Sequence, residues 1–250
     1  MVHSLKACWR LLHAVGHALG GWWTIRFTFP SLSPQERNLR VQQWSRRLLE
    51  IMGVTLKVQG NPPGDGPVLL ICNHLSWLDI TAIHAACHVR FVSKSGVKHW
   101  PLIGTLSTGA GSLYIERERR RDAMRVVHHM GEALAAGDAV AVFPEGTTGE
   151  GVPPLPFHAN LLQAAISTGV PVQPVVLRFS QPGAAFSPAV AYVGDTTLAE
   201  SLWRVACAEG LTAHVRFLPP RPSAGFERRA LAAELRSRID AALREDAGVS

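Results

Sequence analysis

The sequence predicts an α/β fold: a mixed, largely parallel sheet layered with helices, preceded by an N-terminal two-helix element. Three observations carry this. From residue 54 onward, short apolar runs alternate with segments of helical periodicity, as a sheet covered by helices requires. The run VLLIC, Val68 to Cys72, is wholly apolar, the pattern of a strand buried on both faces. No repeat, low-complexity tract or linker divides residues 53–250, so they read as one domain.

In chain order, the first stretch is LLHAVGHALGGWWTI, Leu11 to Ile25, with no Lys, Arg, Asp or Glu. It is shorter than the roughly 20 residues a membrane span needs. No small-x-small cleavage site follows it, so a secretory signal is not expected. A second helix begins at Ser33-Pro34-Gln35-Glu36, a capping box with proline at the first helical position. Val41, Trp44, Leu48 and Ile51 then recur at helical spacing, while Arg37, Arg40 and Arg47 lie off that stripe.

Charge and tryptophan concentrate in this region. Residues 1–50 carry seven Lys/Arg against two acids and hold Trp9, Trp22, Trp23 and Trp44, while the remaining 200 residues are nearly balanced, 18 against 17. Basic residues interleaved with tryptophan suit an anionic surface, and the apolar content points to a membrane surface rather than nucleic acid. Residues 1–52 are therefore expected to form a membrane-associating element, with Trp22 and Trp23 at headgroup level. The alternative is an apolar helix buried against the protein's own core.

Beyond Gly53, Val54, Leu56 and Val58 alternate with polar residues as in a strand. A helix is expected from Trp77 to Cys87, a strand over Arg90–Ser93, a helix over Trp100–Ser107 and a strand over Ser112–Ile115. Next come a helix over Arg121–Ala136, a strand over Ala139–Phe143, a helix over His158–Ser167 and a strand over Val172–Phe179. Strands over Val190–Val193 and Ala213–Leu218 precede a last helix, Phe226–Arg244. Pro171 and Pro174 suit an edge or irregular strand.

Hydrophobic residues make up 47% and charged residues 18% of the chain, well short of a polytopic membrane protein. The four cysteines, Cys8, Cys72, Cys87 and Cys207, are scattered with no CxxC pair. That argues against a disulfide framework or a zinc site and for a reducing compartment.

Function in layered α/β sheets collects at strand ends, and four of these are unusual. NHLSWLD sets His74 and Asp79 five positions apart, about 140° around a continuous helix. The two meet only if His74 sits in the turn after the strand and Asp79 in the first helical turn. So placed, the carboxylate fixes the imidazole tautomer while the ring takes a proton. Alone, the pair equally suits a helix start, which favours aspartate. YIERERRR clusters Arg117, Arg119, Arg120 and Arg121, and arginine's planar fork suits phosphate. FPEGTTGEG places Glu145, Gly146 and Thr147 directly after a strand, in the style of a backbone-amide anion cradle. No Gly-Lys-Ser/Thr follows, which excludes a nucleotide P-loop. VPVQPVVLR is mainly structural in content.

In this order and spacing, NHLSWLD, GSLYIER, FPEGTT and VPVQPV resemble the four motif blocks of the glycerolipid acyltransferase family, over roughly Val54 to Phe179. The resemblance implies an O-acyltransferase of the 1-acylglycerol-3-phosphate type, moving a fatty acyl group from an acyl thioester to a lysolipid hydroxyl and so making phosphatidic acid. It implies His74 as general base and Asp79 as its orienter, with no enzyme-bound acyl intermediate. It also implies Arg117, Glu145, Gly146, Thr147 and Lys94 in substrate binding, with Asn73 and Ser76 as supporting or oxyanion residues. The implied donor is acyl-CoA or acyl carrier protein, with no resident cofactor or metal. The implied location is the cytoplasmic face of the inner membrane, peripheral or monotopic. Thr148 stands where the family's third block commonly has arginine, as in a branch that also acylates lyso-ornithine lipid.

Three other readings compete. Cys72 could serve as a nucleophile beside His74, although thiols at strand ends are usually just buried. His128, His129 and Glu132 could hold a metal, although adjacent helical histidines diverge by about 100°. A non-enzymatic lipid-binding protein could keep the fold, although it would need no complete His74/Asp79 pair.

Overall fold

The computed structural model describes residues 2–64, 66–115 and 120–248. It opens with α1 (Val2–Trp23), a π-helical turn (Thr24–Thr28), a short 3-10 turn (Phe29–Ser31) and α2 (Pro34–Ile51). Among the described residues seven strands follow: β1 (Thr55–Gln59), β2 (Val68–Cys72), β3 (Arg90–Lys94), β4 (Leu113–Ile115), β5 (Ala139–Val142), β6 (Val172–Ser180) and β7 (Thr212–Phe217). Between and after them run α3 (Leu78–Ala86), α4 (Ile103–Gly109), α5 (Arg120–Ala135), α6 (Gln163–Thr168), α7 (Leu198–Cys207) and α8 (Arg228–Ala247).

The strands form one sheet in the order β1-β7-β6-β2-β5-β3-β4. β6, β2, β5, β3 and β4 are mutually parallel, β7 runs antiparallel to β6, and β1 runs parallel to β7. The expected mixed, largely parallel sheet is therefore present. Every residue of β2 is buried because its alternate side chains feed different cores. Val68, Leu70 and Cys72 join α2 and α3 on one face, while Leu69 and Ile71 join α5, α6 and α8 on the other.

The N-terminal helices are placed by specific packing. The Ser33–Glu36 capping box forms as its sequence predicts. The His17 ring stacks on Trp44, with centroids 4.9 Å apart and 11° between planes. Gly21 permits that approach, since a Cβ there would fall 2.6 Å from Trp44 Nε1. Ala7 is fully buried, and Leu11 and Ala14 pack against the core. The opposite face of α1 is bare: Leu5, Trp9, Leu12, Leu19 and Trp23 are each more than half exposed, and their spacing puts them on a single stripe. The helix is thus half packed and half open. Among the described residues, no helix is long and apolar enough to cross a membrane.

Several arginines of the basic N-terminal region serve the fold. Arg10 Nη1 donates to the carbonyls of Ala206 and Ala208 at 2.8 Å each. Arg37 Nε donates to Phe29 O at 2.8 Å, and Arg46 Nε to Ala85 O at 2.7 Å.

Three sequence expectations change. Residues Val190–Val193 lie in a loop rather than a strand, and helix α7, which periodicity had not suggested, follows them. Its start is a second capping box, Thr197 with Glu200. β6 is an interior strand despite Pro174. The Pro174 carbonyl accepts from Leu218 N–H at 3.0 Å, so its ring nitrogen faces the same side, and the Gln173 side-chain amide donates to Leu218 O at 3.1 Å in place of the N–H that proline lacks.

Candidate active site

Because β2, β5, β3 and β4 are parallel and adjacent, their C-terminal ends share one edge of the sheet. His74 follows β2, Lys94 closes β3, and Pro144-Glu145-Gly146 follows β5. Arg117, two positions beyond β4, lies outside the described residues.

The turn from β2 into α3 brings His74 and Asp79 together. The Asp79 N–H donates to Ser76 O at 3.1 Å, so the chain doubles back before the helix begins. Asp79 Oδ2 then accepts three donors: Leu75 N–H at 2.6 Å, Ser76 N–H at 2.9 Å and His74 Nδ1 at 2.7 Å. A carboxylate only accepts, so Nδ1 carries the hydrogen and the Nε2 lone pair is left for another partner. Asp79 is fully buried, whereas the His74 side chain retains 18% exposure.

The imidazole lies flat on Phe143, with centroids 3.9 Å apart and 12° between planes. Phe143 stacks in turn on Phe91 at 5.5 Å. Stacking holds the ring by its face, so both nitrogens project from its edges. The main chain of His74 is held as well: its N–H donates to Glu145 Oε1 at 2.7 Å, and its carbonyl accepts from Gly149 N–H at 2.8 Å. The other oxygen of Glu145 accepts Leu155 N–H at 2.8 Å. Burial pushes the Glu145 carboxyl up from its usual range, against the pull of those two backbone donors.

The remaining predicted residues fall into two groups. Asn73 and Ser76 are buried beneath the site. The Asn73 amide donates to Leu177 O at 2.9 Å and accepts Leu177 N–H at 2.8 Å, tying the end of β2 to β6. The Ser76 hydroxyl accepts Leu78 N–H at 3.3 Å at the start of α3. Both side chains brace the turn through these main-chain bonds, an arrangement that suits the supporting role of the two roles expected for them. Lys94, Gly146 and Thr147 are exposed at the edge. Gly146 has φ +74°, and a Cβ there would lie 3.0–3.1 Å from the His158 ring, so only glycine suits both its conformation and its neighbour. The Thr148 hydroxyl donates to Tyr192 O, anchoring the FPEGTT loop to the 181–197 loop.

Sequence reasoning missed Phe143, Gly149, Leu155 and Tyr192. Phe143 heads the FPEG block and could have been flagged by its place at the strand end. The other three act through main-chain atoms, which residue type does not reveal.

The competing chemistries fit poorly. Cys72 is fully buried and its thiol is pushed well up, first by burial, which disfavours the thiolate a nucleophile needs. His128 Nε2 pairs with Glu132 Oε1 at 3.3 Å, and the His128 and His129 rings lie 6.2 Å apart. Among the described residues, no group of three or more His, Cys, Asp or Glu side chains converges as a metal site.

Comparison with known proteins places the chain in a family. The family model for acyltransferases matches residues 53–178. A lyso-ornithine lipid O-acyltransferase from Pseudomonas aeruginosa is 33% identical over 93% of this chain and 89% of its own length. A 1-acyl-sn-glycerol-3-phosphate acyltransferase from Neisseria meningitidis is 34% identical over 87% of this chain and 86% of its own. The crystal structure of the 1-acyl-sn-glycerophosphate acyltransferase PlsC from Thermotoga maritima shares the fold, with a TM-score of 0.67, 18% identity, and coverage of 94% of this chain and 97% of that one.

Proposed function

This chain belongs to the acyltransferase family and is an O-acyltransferase, and from that premise we propose that His74 is its general base, acting on the free hydroxyl of a lysolipid. The 2.7 Å contact between His74 Nδ1 and Asp79 carries the proposal, because it leaves Nε2 basic and aimed away from the carboxylate. The lysolipid hydroxyl attacks the thioester carbonyl carbon as its proton passes to Nε2. The tetrahedral adduct then collapses, the carbon–sulfur bond breaks, and the imidazolium returns the proton to the departing thiolate. Asp79 stabilises the transient imidazolium, and no acyl group is attached to the protein at any stage. A positioned base of this kind contributes about 10² to 10⁴ in rate.

The acceptor we assign is 1-acyl-sn-glycerol-3-phosphate, giving phosphatidic acid, with an acyl-CoA or acyl carrier protein thioester as donor. The relative from Neisseria meningitidis supports this choice. A second reading, lyso-ornithine lipid, is favoured by Thr148. Its hydroxyl is engaged by Tyr192 O, and no guanidinium stands there to grip a phosphomonoester. The relative from Pseudomonas aeruginosa supports that acceptor.

We place the chain at the cytoplasmic face of the inner membrane, peripheral or monotopic, and the exposed apolar stripe of α1 supports the membrane attachment itself. An amphipathic helix binds in proportion to its buried apolar area and its attraction to anionic lipid.

The test is His74→Ala in a purified-enzyme acceptor panel of lysophosphatidate, other lysophospholipids and lyso-ornithine lipid, each with both donors. Turnover is expected to vanish while vesicle binding persists. Unchanged turnover in the variant would end the mechanism, and the acceptor with the highest kcat/KM in the wild type decides between the two readings.

A further inference from the structure

We propose that Glu145 is the positioning residue of His74, holding the backbone that carries the imidazole, rather than a residue that touches substrate. The inference rests on the reading of His74 as the base. Both carboxylate oxygens are directed at main-chain donors, Oε1 at His74 N–H and Oε2 at Leu155 N–H. Those donors lie in irregular segments, one just past β2 and the other in the loop after β5. Neither belongs to a strand ladder or a helix, and a buried N–H without a partner is costly. Glu145 satisfies both.

The surroundings close this carboxylate in. Glu145 is 6% exposed. A Cβ at Gly149 would come within 3.2 Å of Oε2 and 3.3 Å of Leu155 Cγ, so the loop wraps tightly around the acid. The same loop returns a second bond, from Gly149 N–H to the His74 carbonyl. Residue 74 is thereby gripped at its N–H by residue 145 and at its C=O by residue 149, while residue 143 supports its ring. Three fixtures of the base come from seven consecutive residues, and among the described residues Asp79 is the further one, from elsewhere. The end of β5 therefore sets the position of the base carried by β2. A substrate contact would need an oxygen turned toward the open edge, and both are turned toward backbone.

The discriminating variant is Glu145→Gln. A primary amide presents one oxygen and one NH2 group, so one of the two N–H donors would face another donor. A displacement of about 1 Å in a catalytic group costs on the order of 10²-fold in rate. The expected result is a fall in kcat of about 10- to 100-fold, with KM for acceptor and for thioester each within about twofold. In the substrate-free protein, amide hydrogen exchange at His74 and Leu155 should speed up by at least about tenfold. Glu145→Asp, which keeps the charge but is one methylene short, should show the same pattern in weaker form.

A rise of about tenfold or more in acceptor KM with kcat retained would make Glu145 a substrate ligand and overturn the proposal. So would unchanged exchange at residue 74. Since exchange is read without turnover, it stands apart from the base assignment. Full activity in His74→Ala sinks the base reading, whereas unaltered exchange in Glu145→Gln sinks the brace alone.

Discussion

His74 Nδ1 and Asp79 Oδ2 lie 2.7 Å apart although five positions separate the two residues. The pair exists because the chain turns through residues 74–77 and α3 begins only at Leu78. The same carboxylate oxygen fixes that turn through the N–H groups of Leu75 and Ser76. One oxygen thus organises both the backbone and the ring.

That arrangement separates charge from shape. In Asp79→Asn, the amide oxygen can take the place of Oδ2 and keep all three donors, while the negative charge is lost. The melting temperature is expected to stay close to that of the wild type. Turnover should fall by about 10²- to 10⁴-fold, because the imidazolium loses its counter-charge. Thermal melts and initial rates on the same preparation check both halves.

Cys72 should be chemically silent. Its thiol is buried and pushed up, whereas Cys8 is exposed. Iodoacetamide is expected to label Cys8 first and to leave turnover intact. Mass mapping of alkylated peptides alongside residual activity gives the answer, and loss of activity in step with Cys72 labelling would contradict the burial argument.

The stripe on α1 and the arginine behind it should separate cleanly. Leu12→Asp with Leu19→Asp changes two side chains that are 67% and 54% exposed, so the fold should tolerate it. Removing two apolar contacts of roughly 1.5–3 kcal/mol each should lower the vesicle-bound fraction sharply in sedimentation with anionic liposomes. Arg10→Ala should behave oppositely. It breaks two charge-assisted bonds to carbonyls at the C-terminal end of α7, those of Ala206 and Ala208, with an expected loss of about 1.5–3 kcal/mol of stability, and vesicle binding should persist.

Two histidines, buried His84 and part-buried His214, make stability depend on pH. Burial first, then His88, pushes His84 from 6.5 down to about 3. Burial, together with the Arg178 and Lys57 charges, pushes His214 from 6.5 down to about 4. In both cases the unfolded chain binds a proton that the folded chain refuses, so stability falls as pH drops below about 6.5 and continues to fall toward about 4. Replacing His214 by Gln should flatten that slope by about one proton in denaturation midpoints measured from pH 7 to pH 4.

Much of the fold was legible because burial leaves periodic marks. VLLIC announced a strand covered on both faces, and Ser33 with Glu36 announced the start of α2. Pro174 reads as an edge signal, yet its strand is interior because the Gln173 side chain donates to Leu218 O in its place, a partner just past β7 and far along the chain. The Val190–Val193 run looked like a strand by composition, yet it packs as a loop. The Thr197–Glu200 capping box that starts α7 is a local signal carried by the sequence itself.

The sequence by itself determined the residue types of the site, the need for a turn between His74 and Asp79, and the family resemblance of the four strand-end blocks. Tertiary structure alone decided how those blocks meet. Parallel pairing of β2 with β5 set the FPEGTT loop beside His74, placed Phe143 under the imidazole and directed Glu145 at two backbone N–H groups. It also decided that Arg10 and Arg46 serve carbonyls inside the fold while the α1 stripe stays open. The physical reason is that a hydrogen bond to a main-chain atom, or a ring lying on a ring, depends on distances between segments far apart in the chain, and neither residue type nor local periodicity encodes those distances.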